Sequence, residues 1–314
     1  IYVMAQPTPA AAAGRKPRKP KSSHTSGMSR ALVRRETISA YIFLLPSLLF
    51  FLLFVVAPMF ICVFYSLFDY GLGGLGDFVG LDNYIRLFQD PIFHKGLINT
   101  IIIVVVAVPT VTAFSLWVSS AIYRMHAFPR SFFRCVFYLP VVTGSVAITV
   151  VWKWILDPYN GILNQLIGTD GYNWLGESRT ALACIIVILF TTSIGQPIVL
   201  YTAALGNVDA SIIEAAKVDG ANKLQVFWKI TWPSIMPTTL YVLVITTINS
   251  FQCFALIQLM TQGGPMNATM TIMYQVYYAA YRLYDLGYAN AIGVILAIII
   301  AIFSAVQFKL AKTD

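Results

Sequence analysis

Residues 214–237 read Glu-Ala-Ala-Lys-Val-Asp-Gly-Ala-Asn-Lys-Leu-Gln-Val-Phe-Trp-Lys-Ile-Thr-Trp-Pro-Ser-Ile-Met-Pro, a polar interruption between the fourth and fifth apolar runs of the chain. Two short helical pieces are expected there. Ile212, Ile213, Ala215 and Ala216 fall on one side of the first, and Leu224, Phe227 and Ile230 recur at three-residue steps in the second. Asp219-Gly220 marks a turn, because glycine accepts backbone angles that residues with a Cβ avoid. Pro233 and Pro237 are expected to stop the second helix, since proline lacks the N–H a helix interior needs. As one straight helix the stretch would span about 36 Å; broken at Gly220 it folds back into a compact knob. On periodicity alone it is an amphipathic surface element between two spans.

The sequence on either side explains why a polar knob is conspicuous. Of 314 residues, 58% are hydrophobic and only 11% charged, against about 25% charged in a soluble domain. Six apolar runs approach the roughly 20 residues that cross a bilayer as helix: about 41–66, 98–122, 135–156, 180–205, 238–261 and 287–308. The fold class expected is all-α, a polytopic membrane protein with six transmembrane helices. Residues 1–37 form a basic, Ala-, Pro- and Ser-rich tail expected to be disordered. The first apolar run is expected to serve as the membrane signal anchor.

Charge sets the topology. Eight of the 21 Lys and Arg precede residue 36. Placing that end inside also puts Arg124, Arg130, Arg134, Lys217, Lys223, Lys229, Lys309 and Lys312 inside, and leaves Arg86, Lys95, Lys153, Arg179 and Arg282 outside or at outer span ends. This asymmetry puts both termini and the 214–237 stretch in the cytoplasm. It accounts for the net charge of +8 better than a nucleic-acid partner does. Cys62, Cys135, Cys184 and Cys253 lack paired spacing and read as small buried hydrophobes. No nucleotide-binding P-loop occurs, so any ATP hydrolysis must come from another chain.

The knob carries a resemblance. Glu214, Ala215, Ala216, then Asp219, Gly220, Ala221, then Phe227, Ile230, Pro233 and Pro237 fit the cytoplasmic "EAA" loop of permease subunits of bacterial ATP-binding-cassette importers. The stretches 78–84, 99–100, 152–154, 161–164, 173–176 and 261–265, with Thr269, look like the outer loops of the carbohydrate branch of that family. The resemblance implies a permease domain over 38–314, with a coupling loop at 206–237 that docks on an ATPase subunit. It further implies a second homologous permease, an ATPase pair carrying ATP and Mg²⁺, and an extracytoplasmic solute-binding protein. No cofactor is expected on this chain itself. Membrane lipid surrounds the whole, in a bacterial cytoplasmic membrane.

The composition of the spans bears on the solute. All 13 acidic residues lie outside the expected span interiors, where ion-coupled carriers usually keep one. Lys153 is the only basic residue within a span, near its outer end, where it can snorkel. A neutral, hydroxyl-rich solute is therefore expected, with a glycerol-phosphate-type solute or an ion-coupled sugar carrier as alternatives. Gln196, Tyr201, Asn249, Phe251 and Gln252 are the candidate path residues, offering amides and aromatic faces. The same amides could equally bond neighbouring helices. No paired carboxylates at membrane depth, nucleophile elbow or metal-ligand spacing points to an enzyme.

Overall fold

The structure, a computed structural model, describes residues 30–169 and 171–311. The chain divides into two compact units, residues 1–58 and 59–314. In the first, α1 (Arg30–Phe51) passes into a π-helical turn, Leu52–Val56. The expected tail lies mostly outside the described residues, and its last part is helical from Arg30. The apolar run that continues through α2 (Ala57–Tyr65) is long enough, at Thr37–Tyr65, to cross a bilayer.

After α2 comes a hairpin that hydropathy did not anticipate, β1 (Phe68–Gly71) antiparallel to β2 (Gly74–Phe78). Then follow α3 (Asp82–Gln89), α4 (Pro91–Ile122), α5 (Ala127–Val142), α6 (Ser145–Ile155), α7 (Ile162–Ile167), α8 (Ala181–Ser193) and α9 (Gly195–Gly206). The rest is α10 (Ala210–Val218), α11 (Lys223–Val226), a π-helical turn at Phe227–Thr231, α12 (Trp232–Phe251), α13 (Ala255–Met260), α14 (Ile272–Tyr281) and α15 (Leu286–Ala311).

Two of the expected spans are bent. The run expected at 135–156 divides into α5 and α6, which meet at 98°. The cause is local: Thr143 and Gly144 leave the helix for extended backbone, and Pro140 has already removed one ladder N–H. The run expected at 180–205 divides into α8 and α9 at 41°, where Pro197 cannot donate to the Ser193 carbonyl. Arg130 and Arg134, expected in a loop, ride on α5. Cys135 is exposed on the surface of this chain, Cys253 is buried, and all four cysteines are free thiols.

Pro233 and Pro237 do not stop the second knob helix as expected. The helix runs unbroken from α11 through the π turn into α12. The wider turn is the reason: Trp232 N–H reaches back to the Phe227 carbonyl, and Ser234 Oγ donates to the Ile230 carbonyl at 2.7 Å. Pro233 follows directly on this π turn, whose shifted ladder tolerates a residue without an N–H.

Helix α4 is the central post, lying against α8, α9, α12 and α14. Small side chains permit this. Ser115 Oγ donates to the Ile194 carbonyl at 3.3 Å and Ser119 Oγ to the Ile198 carbonyl at 3.0 Å, so α4 and α9 approach closely. Gly195 brings α9 equally near α5: a Cβ there would sit 2.4 Å from the Phe137 carbonyl oxygen and 2.7 Å from Val141 Cγ2.

Two inter-helix loops are fixed by asparagines. Asn99 Nδ2 donates to the carbonyls of Asn267, Ala268 and Met270 at 3.3, 3.1 and 2.9 Å, and Thr269 Oγ1 closes the same loop onto the Gly264 carbonyl at 2.7 Å. Asn164 Nδ2 holds the carbonyls of Pro158 and Tyr172, while its Oδ1 accepts from Thr169 Oγ1 and Trp174 Nε1. Asp90 caps α4 through the Ile92 N–H and also accepts from Gln275 Nε2 at 2.9 Å and Tyr288 OH at 2.7 Å, tying α4 to α14 and α15.

Candidate functional site

The knob is built from a helix, a glycine turn and a second helix. Asp209 starts α10 by accepting the Ser211 N–H at 2.8 Å. The Ser211 hydroxyl and amide hold the Asp209 carboxyl below the usual carboxylate range, so this cap contributes above the ordinary carboxylate pKa and fades as pH falls through the lowered one. Glu214 lies in mid-helix with an exposed side chain.

At the other end, Gly220 N–H donates to the Lys217 carbonyl at 3.1 Å and Ala221 N–H to the Ala216 carbonyl at 2.9 Å. These two bonds are the Schellman closure, which needs a left-handed residue between them. Gly220 supplies it, at φ 81°. Asn222 then opens α11 with a reciprocal box: its side chain accepts from Gln225 N–H, and Gln225 Oε1 accepts from Asn222 N–H, both at 2.8 Å. Ala215, Ala216, Asp219 and Ala221 all contribute backbone hydrogen bonds around this one turn.

The knob leaves Ile212, Val218, Leu224 and Trp228 exposed. Phe227 and Trp228 pack at a tilt against Trp232, with ring centroids 6.4 and 5.6 Å apart, while Ile230 and Pro233 lie where the π turn enters α12. This is an apolar surface with a carboxylate, Glu214, beside it.

The path candidates separate. Gln252 lines a cavity of about 260 Å³ with Thr143, Ser145, Thr192 and Cys253. That cavity sits where the α5–α6 bend, the end of α8 and the α12–α13 break converge, and no charged side chain lines it. Gln196 lines a different groove, of about 480 Å³, beside Arg134 and Tyr138. Tyr201 and Phe251 are fully buried core residues, Phe251 against Phe303 at 5.2 Å between ring centroids. Asn249 is exposed and lines neither space. Thr143 and Ser145 were missed from sequence, although Pro140 and Gly144 in an apolar run were a signal of a break. Among the described residues no group of His, Cys, Asp and Glu is arranged to hold a metal ion.

Residues 92–312 match the family model described as "binding-protein-dependent transport system inner membrane component". The chain belongs to that family. It is a permease subunit of an ATP-binding-cassette importer, and the ion-coupled carrier alternative gives way. The permease is 33% identical over 290 residues to the probable ABC transporter permease protein YurN of Bacillus subtilis, covering 90% of this chain and 99% of that one. It is 30% identical over 312 residues to the diacetylchitobiose uptake system permease protein NgcF of Streptomyces coelicolor, covering 93% and 88%. Its fold is similar to that in a bacterial ABC transporter involved in import of the acidic polysaccharide alginate, with TM-score 0.77, 22% identity, and coverage of 90% of this chain and 98% of that one.

Proposed function

We propose that the permease carries a neutral sugar or oligosaccharide inward across the cytoplasmic membrane, with the knob on a separate ATPase and both termini in the cytoplasm. The observation that carries the solute reading is the cavity at the three helix breaks. Its polar lining is hydroxyls and one amide, Thr143, Ser145, Thr192 and Gln252, without a charge, which suits a hydroxyl-rich solute. The name of the chitobiose relative supports the same class. At about 260 Å³ the cavity is smaller than the roughly 300–1,000 Å³ of a typical ligand site. A second homologous permease completes the path in this reading, and an extracytoplasmic binding protein delivers the solute.

Arg134 beside Gln196 favours a second reading, a glycerol-phosphate-type solute, because it places a cation on a groove. Arg134→Gln separates the two. Uptake of a neutral sugar is expected to persist in this variant, whereas import of an anionic solute would fall.

The driving force is tested in proteoliposomes holding the permease with its partners. A neutral solute gains nothing directly from membrane potential, whereas a moved charge is worth about 2.3 kcal/mol per 100 mV. Uptake is expected to need ATP on the cytoplasmic side and to survive an uncoupler. Uptake on an ion gradient without ATP would sink the proposal, as would ATP turnover by the purified chain alone. Within the path, Gln252→Ala is expected to slow uptake severalfold, and Asn249→Ala to leave it near normal, since only Gln252 faces the cavity.

A further inference from the structure

The loop that follows α6 is inside out. Its short helix α7 buries a polar residue, Asn164 at 1% exposure, and turns apolar ones outward: Leu166 is 79% exposed and Ile167 54%, with Ile162 beside them. Asn164 is fully occupied within the loop, so its burial is satisfied. The outward leucine and isoleucines have no such explanation inside this chain. A water-facing loop would present the opposite pattern.

Two features indicate what covers them. First, α7 packs beside α6, on which Val146, Val150 and Trp154 recur every four residues and are all exposed. That stripe ends in Trp154 beside the exposed Lys153, with Tyr159, 82% exposed, one turn of chain further. Aromatic rings and a snorkelling lysine at a span end mark the headgroup level. Second, residues 158–169 carry no charge, the nearest being Asp157 and Asp170 at the two ends of the stretch, so the apolar face itself offers a docking soluble protein no ion pair.

We propose that the outer face of α7, with Trp154 and Tyr159, is a phospholipid-binding surface that rests in the interfacial layer of the bilayer. An apolar helix face lying in the interface buries to a depth of about 5–10 Å. The seat props the end of α6, so the 98° bend after α5 is held from the lipid side as well as from the protein core. This inference does not depend on which solute is carried.

The test uses the full chain assembled with its partners in liposomes of phosphatidylethanolamine and phosphatidylglycerol. A photoreactive p-benzoylphenylalanine replaces Leu166, an apolar exposed position that accepts a large ring, and in separate samples Gln165 or Glu177, both exposed polar positions. After irradiation, mass spectrometry reads the adducts. Phospholipid adducts are expected at position 166 at a severalfold higher yield than at 165 or 177, with or without the solute-binding protein. Adducts to the binding protein or to the second permease would assign the face to that chain and overturn the proposal. Equal lipid yields at all three positions would overturn it too.

Discussion

Gly220→Val is expected to abolish solute-stimulated ATP turnover and uptake in the reconstituted transporter while expression stays near normal. The site is unusual in how it separates strain from crowding. A Cβ at Gly220 would meet nothing within 4 Å, yet φ is 81°. The cost is therefore purely conformational, about 1–2 kcal/mol for any residue with a Cβ and more for a β-branched one. The chain relieves that cost by leaving the left-handed region, which breaks the bonds to the Lys217 and Ala216 carbonyls and swings α10 relative to α11. None of this involves a membrane-spanning segment, so insertion is spared. Gly220→Asn is the control, since asparagine visits the left-handed region readily, and it is expected to retain most coupling. Glu214→Lys, mid-helix and exposed, tests the surface charge of the knob without strain and is expected to lower coupling as well. If Gly220→Val transports like the unmodified permease, the knob is not the coupling element.

Gly195→Val is expected to do the reverse, removing the folded protein rather than its coupling. Here the space is closed. A Cβ would lie 2.4 Å from the Phe137 carbonyl oxygen and 3.0 Å from Tyr138 Cα, both backbone atoms of α5 that cannot swing aside as a side-chain tip can. Overpacking of this kind costs typically about 1–3 kcal/mol, and a backbone collision belongs at the top of that range. The Ser115 and Ser119 bonds to the same segment would strain with it. Yield of monodisperse protein and thermal stability in detergent are expected to fall sharply. Gly206→Ala, at the far end of the same helix with nothing within 4 Å of its Cβ position, is expected to be neutral or slightly stabilising. Equal stability of the two variants would show that α5 and α9 do not meet at Gly195.

These two glycines mark the limit of what is legible in the sequence. Gly220 could be read because a turn pair between two helical patterns demands a special backbone angle, and the structure has it there. Gly195 could not, because it sits inside an apolar run whose hydropathy is indifferent to what lies alongside. The same holds for the bends: Thr143-Gly144 and Gly195-Gln196-Pro197 scarcely lower the hydropathy of their runs, so both runs read as straight spans. Proline misled in the other direction. Pro233 looked like a stop because a regular α-helix cannot host it, and only the π turn before it makes the run continuous.

Side-chain direction was the least legible quantity. Tyr201 and Phe251 offer aromatic faces on paper, but which face of a span meets its neighbours depends on packing that one chain's periodicity does not encode when every face is apolar. The inter-helix loops fared better in pairs. Asn99 and Thr269, noted in separate stretches, hold the same loop, and Asn164 and Trp174 meet at 2.6 Å. Buried asparagines that satisfy several backbone carbonyls leave a residue type behind at fixed places, and that is what the pattern picked up.

The unbroken run from Lys223 to Phe251 has a mechanical meaning. At 1.5 Å per residue it is a rod about 44 Å long, with the knob at one end and the Gln252 break at the other. A stiff rod does not absorb a push; it tilts. A tilt of about 5° about the knob displaces the far end of such a rod by about 3–4 Å, comparable to the width of a water molecule and enough to open or pinch a space of the size found there. Had Pro233 ended the helix, the junction would have been a swivel, and the same push would have been lost in the loop.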